Sequence, residues 1–572
     1  MTPWYIGNTS VRSALRLRDG LVALASSPLQ GNIRGQEGDI AFRKLLGRYG
    51  VVSLGEDASN SVGRKWRSAL GKLGFLYPEI PRSTGINQDD VGPMDTITPN
   101  GLRLIHSETV PAIQECFLRA LAAQYIKSSD ESGNTTWFSP LRHTLSLLLA
   151  LEKRTGQASV NFVEMALHVQ TTNSADDLSK IVDEIIALRQ ERDTAESKRR
   201  FDSVKYEEAA ESANLQASTF RDYADANMRY LKATGIVQSK GHGIILVPEK
   251  RLFADLISKD TTAPTSKLEQ YKILCEGAKL PIDSKDEALV VLNDLTIQLN
   301  KMGISYSFVG RPINTPADIA IIRHEIEDII SKQKEEYFAK LQARKWKEIA
   351  TYIDLIASRK DRKRIDEDTE IFIPRAEAPA YLEWVLWRAF LAINSLINKP
   401  YEARRFNIDQ DFMPVGTAPG NGPDLIMEFN DCVIVVEVTL TESSRQEAAE
   451  GEPVRRHVAD VVEKYANNKQ VYGLFIANRI DSNTAETFRI GVWYTRNDER
   501  LNLTIVPITI AQFGSFFKAL FETDNANPQT VIRLLNKCDV YRSLFEAPEW
   551  KICIDDAVQK TIQELINGDF LP

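Results

Sequence analysis

The chain has 572 residues, of which 43% are apolar and 26% are charged, and its formal net charge is −8. This length exceeds what a single hydrophobic core supports, so we expect two to four domains. The composition is that of an ordinary globular protein, the acidic balance does not by itself indicate a nucleic-acid binder, and no apolar run approaches membrane-spanning length.

The N-terminus and the cysteines indicate the compartment. The first ten residues, MTPWYIGNTS, have no basic segment followed by an apolar run, so we predict no signal peptide. The cysteines form no CxxC pair and lie at Cys116, Cys275, Cys432, Cys538 and Cys553. This scatter favours a reducing compartment and argues against a disulfide framework and against a structural zinc site.

Positive charge is concentrated at the beginning of the chain. Residues 1–75 contain eleven Lys or Arg and five Asp or Glu, a formal excess of six positive charges. A local basic surface attracts phosphates even when the whole chain is acidic. The alternative is a solvated helix face, which charge alone does not exclude.

The next patterns predict a helix followed by a β-wing. Residues 60–75 form an amphipathic helical pattern that stops at Gly74. Its apolar positions are Trp66, Leu70 and Leu73. The stretch TITPNGLRLI (96–105) is typical of two short strands around an Asn-Gly pair. A helix followed by a small hairpin indicates a winged helix-turn-helix, and we assign residues 1–130 to a first DNA-recognition subdomain.

Two later segments repeat the pattern and define a second recognition subdomain, residues 131–275. In 140–170, an apolar helix, a Thr-Gly turn and a second helix follow one another. In 215–247, an amphipathic helix ends at Gly235 and two strands flank a two-glycine turn. In winged helices the second helix enters the major groove and the wing contacts the DNA backbone. The alternative is that such a fold serves as a protein-interaction module.

The basic side chains on or beside these elements are the candidates for DNA contact. Such side chains contact phosphates and thereby set the orientation of the protein on the duplex. They are Arg64, Lys65, Arg67, Arg221, Arg229, Lys232 and Lys240.

Residues 276–366 become helical and charged. The run PADIAIIRHEIEDIISKQKEEYFAKL predicts a helix with one apolar face, which resembles a helical spacer or a short coiled pair. The residues of that face are Ile319, Ile322, Ile326, Ile329, Tyr337 and Leu341. The hydrophilic run SRKDRKRIDEDTE (358–370) marks the boundary to the last domain.

The last domain, residues 367–572, alternates between helical and strand patterns. An amphipathic helix over 380–396 precedes a hairpin, and a helix over 454–466 and a strand over 471–478 follow it. A shorter helix and the strands VWY and LTIVPI complete the series. This alternation predicts a mixed α/β layer domain.

The hairpin NGPDLIMEFNDCVIVVEVTL (421–440) carries a carboxylate near each end. A two-residue turn at Asn430-Asp431 pairs position 424 with position 437, so Asp424 and Glu437 face each other with Cβ atoms ~4.5–5.5 Å apart. Strand alternation places one set of side chains on the face of Glu437. They are Val433, Val435 and Thr439.

Two carboxylates this close repel each other, and one of them would have to bind a proton. A divalent cation removes the conflict, since carboxylate oxygens are the ligands that Mg²⁺ takes. Such an ion polarises a phosphoryl oxygen and activates a bound water. The alternative is a structural pair that shares a proton or an arginine.

The hairpin resembles the PD-(D/E)XK nuclease core. Its Pro-Asp pair (423–424) is followed after twelve residues by Glu-Val-Thr (437–439), and Thr439 stands where that motif has a lysine. The wider stretch, GTAPGNGPDLIMEFNDCVIVVEVTLT with AAEGEPVRRH after it, is similar to the AlwI-like family of type IIS restriction endonucleases and their strand-nicking relatives.

Further residues carry the same resemblance. The family has a Glu-Trp on the helix before the core, here Glu383-Trp384, and an E-x-E-P-V-x-R-H stretch, here residues 450–457. Weaker similarity extends to the N-terminal Trp-Tyr, to the region around TFRDYADANMRYLKATGIV and to the helical spacer. The resemblance therefore covers most of the chain and is most specific in 381–457.

This resemblance implies the fold class, the cofactor and the site. The fold is multidomain: an α+β winged-helix DNA-recognition region, a helical spacer and a C-terminal α/β PD-(D/E)XK nuclease domain with a mixed central sheet. Asp424 and Glu437 would ligate Mg²⁺, with Val438 lending its backbone carbonyl. Glu450 and Glu383 would complete the catalytic cluster.

The missing lysine leaves open which group assists the attacking water. Glu450 and a water held by Thr439 are candidates. His457 is an auxiliary candidate, although a lone histidine at a helix start is more often a capping or packing residue. Arg456 suits a phosphate contact, with a surface ion pair as the alternative.

Several functions are compatible with this interpretation. The first is a Mg²⁺-dependent type IIS restriction endonuclease that recognises a short asymmetric double-stranded site and hydrolyses phosphodiester bonds a fixed distance outside it. The second is a strand-specific nicking enzyme or the large subunit of a heterodimeric restriction enzyme. The third is a DNA-binding regulator with an inactive nuclease-like domain, which only the lost lysine supports. A repair or recombination nuclease also stays open.

The resemblance also implies partners and a location. The substrate would be double-stranded DNA, and cleavage of both strands would need a second copy or a small partner subunit. A cognate DNA methyltransferase would belong to the same system. The expected location is the bacterial cytoplasm.

Overall fold

A computed structural model describes residues 3–11, 13–52, 61–129, 135–365, 370–442, 445–465 and 468–568. The chain forms two compact units, Met1–Ile330 and Ser331–Pro572. The division into four segments stays a prediction, and the last predicted boundary falls in residues 366–369, outside the described residues. Among the described residues, no helix is both long enough and apolar enough to cross a bilayer.

The first unit is mostly helical and closes around one hydrophobic core. Its helices are Leu17–Ala25, Gly35–Arg48, Ser61–Lys72, Pro99–Ile105, Val110–Ala122, Pro140–Thr155, Phe162–Glu164, Leu178–Thr194, Lys198–Ala213, Ala217–Ala233, Arg251–Lys259, Lys267–Glu276 and Lys285–Lys301. Its strands are Ile126–Ser129, Thr135–Phe138, Ser159–Asn161, Val237–Lys240 and Gly243–Leu246. The predicted helix over 60–75 is confirmed, and Gly74 follows it with φ of +68°.

The predicted hairpin over 96–105 is wrong, because this stretch forms the helix Pro99–Ile105. Thr98 caps that helix by accepting a hydrogen bond from the Gly101 amide, and Pro99 suits a first helical position, where its missing N–H costs nothing. A Cβ at residue 101 would lie 2.3 Å from the Phe75 carbonyl oxygen. The glycine therefore permits close packing and does not form a turn.

The predicted helix and hairpin over 215–247 are confirmed. The helix Ala217–Ala233 ends before Gly235, whose φ is +66°. The strands Val237–Lys240 and Gly243–Leu246 pair antiparallel, and Ser159–Asn161 adds a third strand to their sheet. The winged-helix assignment of this region stays a prediction.

The segment 140–170 matches its prediction in part. The helix Pro140–Thr155 ends at Gly156, as predicted. The second helix is only one turn, Phe162–Glu164, and it continues as a π-helical turn over Met165–Val169.

The helix Pro316–Lys340 contains the boundary between the two units. Ile319, Ile322 and Ile326 are buried in the core of the first unit, as the apolar face predicted. The prediction is wrong at Tyr337, whose surface is 65% exposed.

The second unit combines helices with a four-stranded mixed sheet. Its helices are Trp346–Ala357, α1 (Ala378–Ile393), Pro400–Ala403, α2 (Glu452–Tyr465), Ser482–Ile490, Ile510–Glu522, Pro528–Val540 and Ala547–Asn567. Its sheet strands are β1 (Leu425–Glu428), β2 (Cys432–Thr439), β3 (Gln470–Ala477) and β4 (Thr504–Thr509). Short two-stranded pairs are Arg362–Arg364 with Glu370–Phe372 and Val492–Tyr494 with Arg500–Asn502.

The sheet has the order β4-β3-β2-β1, with β1 antiparallel to β2 and the other neighbours parallel. Side chains alternate between two cores, because successive residues of a strand point to opposite faces. Ile434 and Val436 pack into the core that includes α1, whereas Val433 and Val435 pack against Val458 of α2. The predicted assignment of β2 residues to two faces is therefore confirmed.

Candidate active site

The hairpin β1–β2 holds the two carboxylates in the predicted register. Leu425 pairs with Val436 and Glu428 with Val433, so the next position places Asp424 opposite Glu437. Glu437 is buried, and Asp424 keeps part of its surface exposed. The Val438 amide donates a hydrogen bond of 2.9 Å to Asp424 Oδ2, which orients this carboxylate toward the end of β2.

The environment of the hairpin raises the pKa of both carboxyl groups. Burial, Glu437 and Glu450 together raise the pKa of Asp424 to about 8, against the lowering effect of the Val438 amide and His457. Burial and Glu450 raise the pKa of Glu437 well above its ordinary value, which Arg405 partly opposes. Burial therefore disfavours the charged form of both groups, and the neighbouring carboxylates repel each other.

Glu383 joins these groups from α1. Its side chain is only 5% exposed, and its Oε2 accepts a hydrogen bond of 2.6 Å from the Ala418 amide. Burial and the charges of Asp424 and Glu437 raise its pKa well above the ordinary value. The helix therefore presents a third acid, which is itself buried, to the hairpin.

Glu450 reaches the cluster from the π-helical turn Glu447–Gly451, which leads into α2. Burial raises the pKa of Glu450, while a hydrogen bond from Thr439 and the nearby His457 lower it. Thr439, which stands at the lysine position of the resembled motif, thus contacts a neighbouring acid of the cluster.

His457 lies on α2 and faces the hairpin. Its ring is 4% exposed, and Nδ1 lies 2.7 Å from Glu437 Oε1. Nε2 is buried and has no hydrogen-bond partner among the described residues. Burial and Arg456 lower the pKa of this imidazole, which keeps the ring neutral near pH 7. The sequence favoured a capping or packing role, whereas the structure directs the ring at an acid of the cluster.

Arg405 is a functional candidate that the sequence did not indicate. A Cβ at Gly422 would lie 2.1 Å from its Nη1, so this backbone approaches the guanidinium closely. Nη2 donates a hydrogen bond of 2.5 Å to Asn421, and Nη1 is buried with no partner in the described part of the chain. Arg405 also lowers the pKa of Glu437. The only sequence signal is Gly422, which permits this approach.

The donor set matches a hard divalent cation. Within the described ranges, no group of three or more His, Cys, Asp or Glu side chains is arranged to hold a metal ion. Mg²⁺, however, binds through one or two carboxylates and keeps several waters. The facing carboxylates of Asp424 and Glu437, whose pKa values are raised by burial and by neighbouring acids, are ligands of this kind.

The predicted DNA-binding residues of the first unit differ in their surroundings. Arg64, Lys65 and Arg221 are exposed. Arg67 is mostly buried, and its Nη2 lies 3.2 Å from Asp39. Arg229 donates hydrogen bonds to Asp225 and to the backbone carbonyls of Thr9 and Val11, so it fastens the N-terminal segment to a helix.

The remaining basic candidates also have protein partners. Lys232 donates a hydrogen bond of 3.0 Å to Ser239 Oγ, and Lys240 contacts Gln157. In the second unit, Arg456 Nε lies 3.1 Å from Glu452, which is the ion pair that the sequence left open as the alternative. All three side chains are long, and each partner lies at the protein surface.

Comparisons with known proteins identify a family and similarity to solved structures. A family model described as AlwI restriction endonuclease matches residues 71–516, more than three quarters of the chain. No curated protein matches. Among solved structures, the small subunit of the heterodimeric restriction endonuclease R.BspD6I is 22% identical, and the match covers 39% of this chain and 98% of that chain. The TM-score of this match is 0.27.

Proposed function

Since the chain belongs to the AlwI restriction endonuclease family, it is a type II site-specific deoxyribonuclease, and we propose that it is a Mg²⁺-dependent enzyme of type IIS. It would recognise a short asymmetric DNA site and hydrolyse a phosphodiester bond a fixed distance outside that site. The observation that carries the proposal is the facing pair Asp424 and Glu437 with raised pKa values.

The cluster provides the ligands and the charge that such a reaction requires. Asp424, Glu437 and the Val438 carbonyl would hold Mg²⁺, which when bound polarises a phosphoryl oxygen and lowers the pKa of a water. The hydrogen bond from the Val438 amide holds Asp424 in place. Glu383 and Glu450 add negative charge around the pair, which favours a divalent cation over a monovalent one.

His457 is suited to move a proton in this site. With Nδ1–H donated to Glu437, the lone pair of Nε2 is available to accept a proton from the attacking water. The lowered pKa keeps the ring neutral, which is the state that a base requires. Glu437 would thereby orient the base while it ligates the cation.

Arg405 would supply the positive charge that Thr439 does not. A phosphodiester develops negative charge as water attacks it, and a guanidinium beside it stabilises that charge. Nη1 of Arg405 is an available donor beside the hairpin. We therefore assign to Arg405 the stabilisation of this developing charge, for which Thr439 provides no cation.

The chain carries one such cluster in its described residues, so each copy would cut one strand per encounter. Double-strand cleavage would then need a second copy or a small partner subunit, and a chain acting alone would nick. Supercoiled plasmid separates these outcomes on a gel. Open circles that accumulate without linear product indicate nicking, and direct conversion to linear DNA indicates a paired enzyme.

The proposal is tested with purified protein and genomic DNA, incubated with Mg²⁺ or with EDTA. We expect cleavage only with Mg²⁺, and sequencing of the ends should give one recognition site with a constant offset. Cleavage within the recognised site would exclude type IIS. DNA binding without cleavage under any divalent cation would instead favour a regulator with an inactive nuclease domain.

A further inference from the structure

A cavity of about 660 Å³ in the first unit combines positive charge with aromatic walls. The helices Ser61–Lys72 and Lys267–Glu276 form two of its sides. Its charged lining residues are Arg34, Arg64, Arg67, Lys72, Lys267, Glu79 and Asp95. Its rings are Tyr5, Tyr125 and Tyr271. The cation excess and the rings together indicate a ligand that is anionic and also aromatic.

The acids of the cavity do not neutralise all of its cations. Glu79 and Asp95 both bind Arg34, at 2.5 and 2.8 Å. In the described residues, Arg64, Lys72 and Lys267 have no carboxylate within ion-pair distance. Burial and the neighbouring Lys127 lower the pKa of Lys267, so a bound anion would relieve an existing repulsion.

The lysines lie against the rings. Lys72 Nζ is 4.1 Å from the centroid of the Tyr5 ring, and Lys267 Nζ is 5.1 Å from that of Tyr271. Aromatic rings offer stacking surfaces to any base, and lysines beside them reach the attached phosphate. Two ring–lysine pairs therefore line a single cavity.

The size of the cavity suits one nucleotide. Its volume of about 660 Å³ lies within the range of about 300–1,000 Å³ that is typical of cavities for small ligands, and one nucleotide is a ligand of this size.

We propose that this cavity binds a single nucleotide that has left the stack of a DNA duplex. Its base would lie among the tyrosine rings, and its phosphates would contact Arg64, Lys72 and Lys267. The proposal rests on the proposed function, because it requires that the first unit binds DNA. A free nucleotide in solution has the same chemistry as a nucleotide that has left the stack of a duplex. The experiment must therefore distinguish binding of the free nucleotide from binding of the nucleotide in DNA.

The test measures binding by fluorescence anisotropy in EDTA, with a duplex of about 30 base pairs that is fully paired or carries one unpaired nucleotide. Wild-type protein should bind the bulged duplex at least about fivefold more tightly, since stacking contributes ~1–3 kcal/mol per base. The variants Lys72→Ala/Lys267→Ala and Tyr271→Leu should lose this preference. Lys153→Ala/Lys180→Ala, which removes the same charge from exposed positions outside the cavity, should keep it.

The outcomes separate this proposal from the proposed function. Equal binding of both duplexes by wild-type protein overturns the cavity proposal, while site-specific cleavage would still support the endonuclease. No binding to either duplex, and no cleavage, overturns both. The second arm of the experiment measures binding of deoxynucleoside monophosphates. If these bind while the paired and the bulged duplex bind equally well, the ligand of the cavity is a free nucleotide, and the assignment to DNA fails.

Discussion

Two regions of this protein carry unbalanced charge of opposite sign, and they are built differently. In the second unit, Asp424 and Glu437 face each other in a hairpin whose hydrogen bonds hold their carboxylates in place. In the first unit, Lys72 and Lys267 line a cavity on long side chains that retain solvent contact. A reaction needs charge held in a defined geometry, whereas attraction of DNA needs only charge that can adapt.

The strongest test of this contrast removes one of the fixed carboxylates. Asp424→Ala should lower the cleavage rate at least about a thousandfold, because the cation contributes several kcal/mol and each 1.4 kcal/mol is tenfold. Its DNA affinity in EDTA should stay within about threefold of wild type. Single-turnover cleavage and anisotropy give the two quantities. A cleavage rate equal to that of wild type would remove the carboxylate pair from the mechanism.

The second test concerns the positive charge beside the acids. Arg405→Gln should lower the single-turnover rate about a hundredfold, because a donor to the developing charge is lost. Arg405→Lys should recover a substantial part of that loss, since it restores the charge without the planar guanidinium. Arg359→Gln, at an exposed arginine of the same unit, serves as the control. Equal rates for the Gln and Lys variants would show that charge is not what Arg405 provides.

The third test measures whether the charge of Asp424 lowers the free energy of unfolding, which we expect of a carboxylate that lies beside other acids. The pKa of Asp424, about 8, lies above its unfolded value, so between the two values the folded protein binds more protons and its stability falls as pH rises. Without divalent cations, Asp424→Asn should therefore be more stable than wild type by at least about 2 kcal/mol at pH 8, with the difference vanishing toward pH 4. Urea unfolding at several pH values measures this, and a less stable variant at pH 8 would contradict it.

A fourth test uses two nearby glycines to displace Arg405 without removing it. A Cβ at residue 422 would lie 2.1 Å from Arg405 Nη1, whereas a Cβ at residue 420 meets nothing within 4 Å. Gly422→Ala should reduce cleavage about tenfold at unchanged DNA affinity, because misplaced catalytic groups cost rate. Gly420→Ala should cut like wild type. Equal activity of both variants would place the Arg405 guanidinium outside the reaction.

The smallest effect is expected for single cations of the first unit. Arg64→Ala should weaken DNA binding only a few-fold and should lower the slope of log affinity against log salt by about 1, as loss of one phosphate contact predicts. Arg229→Ala is the informative comparison, because Arg229 fastens residues 9 and 11 to a helix. It should lower the free energy of unfolding by about 1–3 kcal/mol. If Arg64→Ala lowered the free energy of unfolding as much as Arg229→Ala does, Arg64 would have a structural role and not only a role in binding.

Much of the second unit could be predicted, because its signals are local. The Asn430-Asp431 turn and the alternation of β2 placed Asp424 opposite Glu437, and the structure has that register. The error over 96–105 has a local cause as well. An Asn-Gly pair is typical of a hairpin turn, but Thr98 and Pro99 start a helix, and Gly101 is required by its close approach to Phe75.

By itself, the sequence determined the hairpin register, the faces of β2 and the acids that could meet there, because turn chemistry and strand alternation act between residues close in the chain. The tertiary structure alone decided that His457 faces Glu437, that Arg405 lies beside Gly422 and that Arg67 and Arg229 have protein partners. Each of these contacts joins separate segments, and the packing of whole elements sets such distances. Residue spacing therefore could not reveal them.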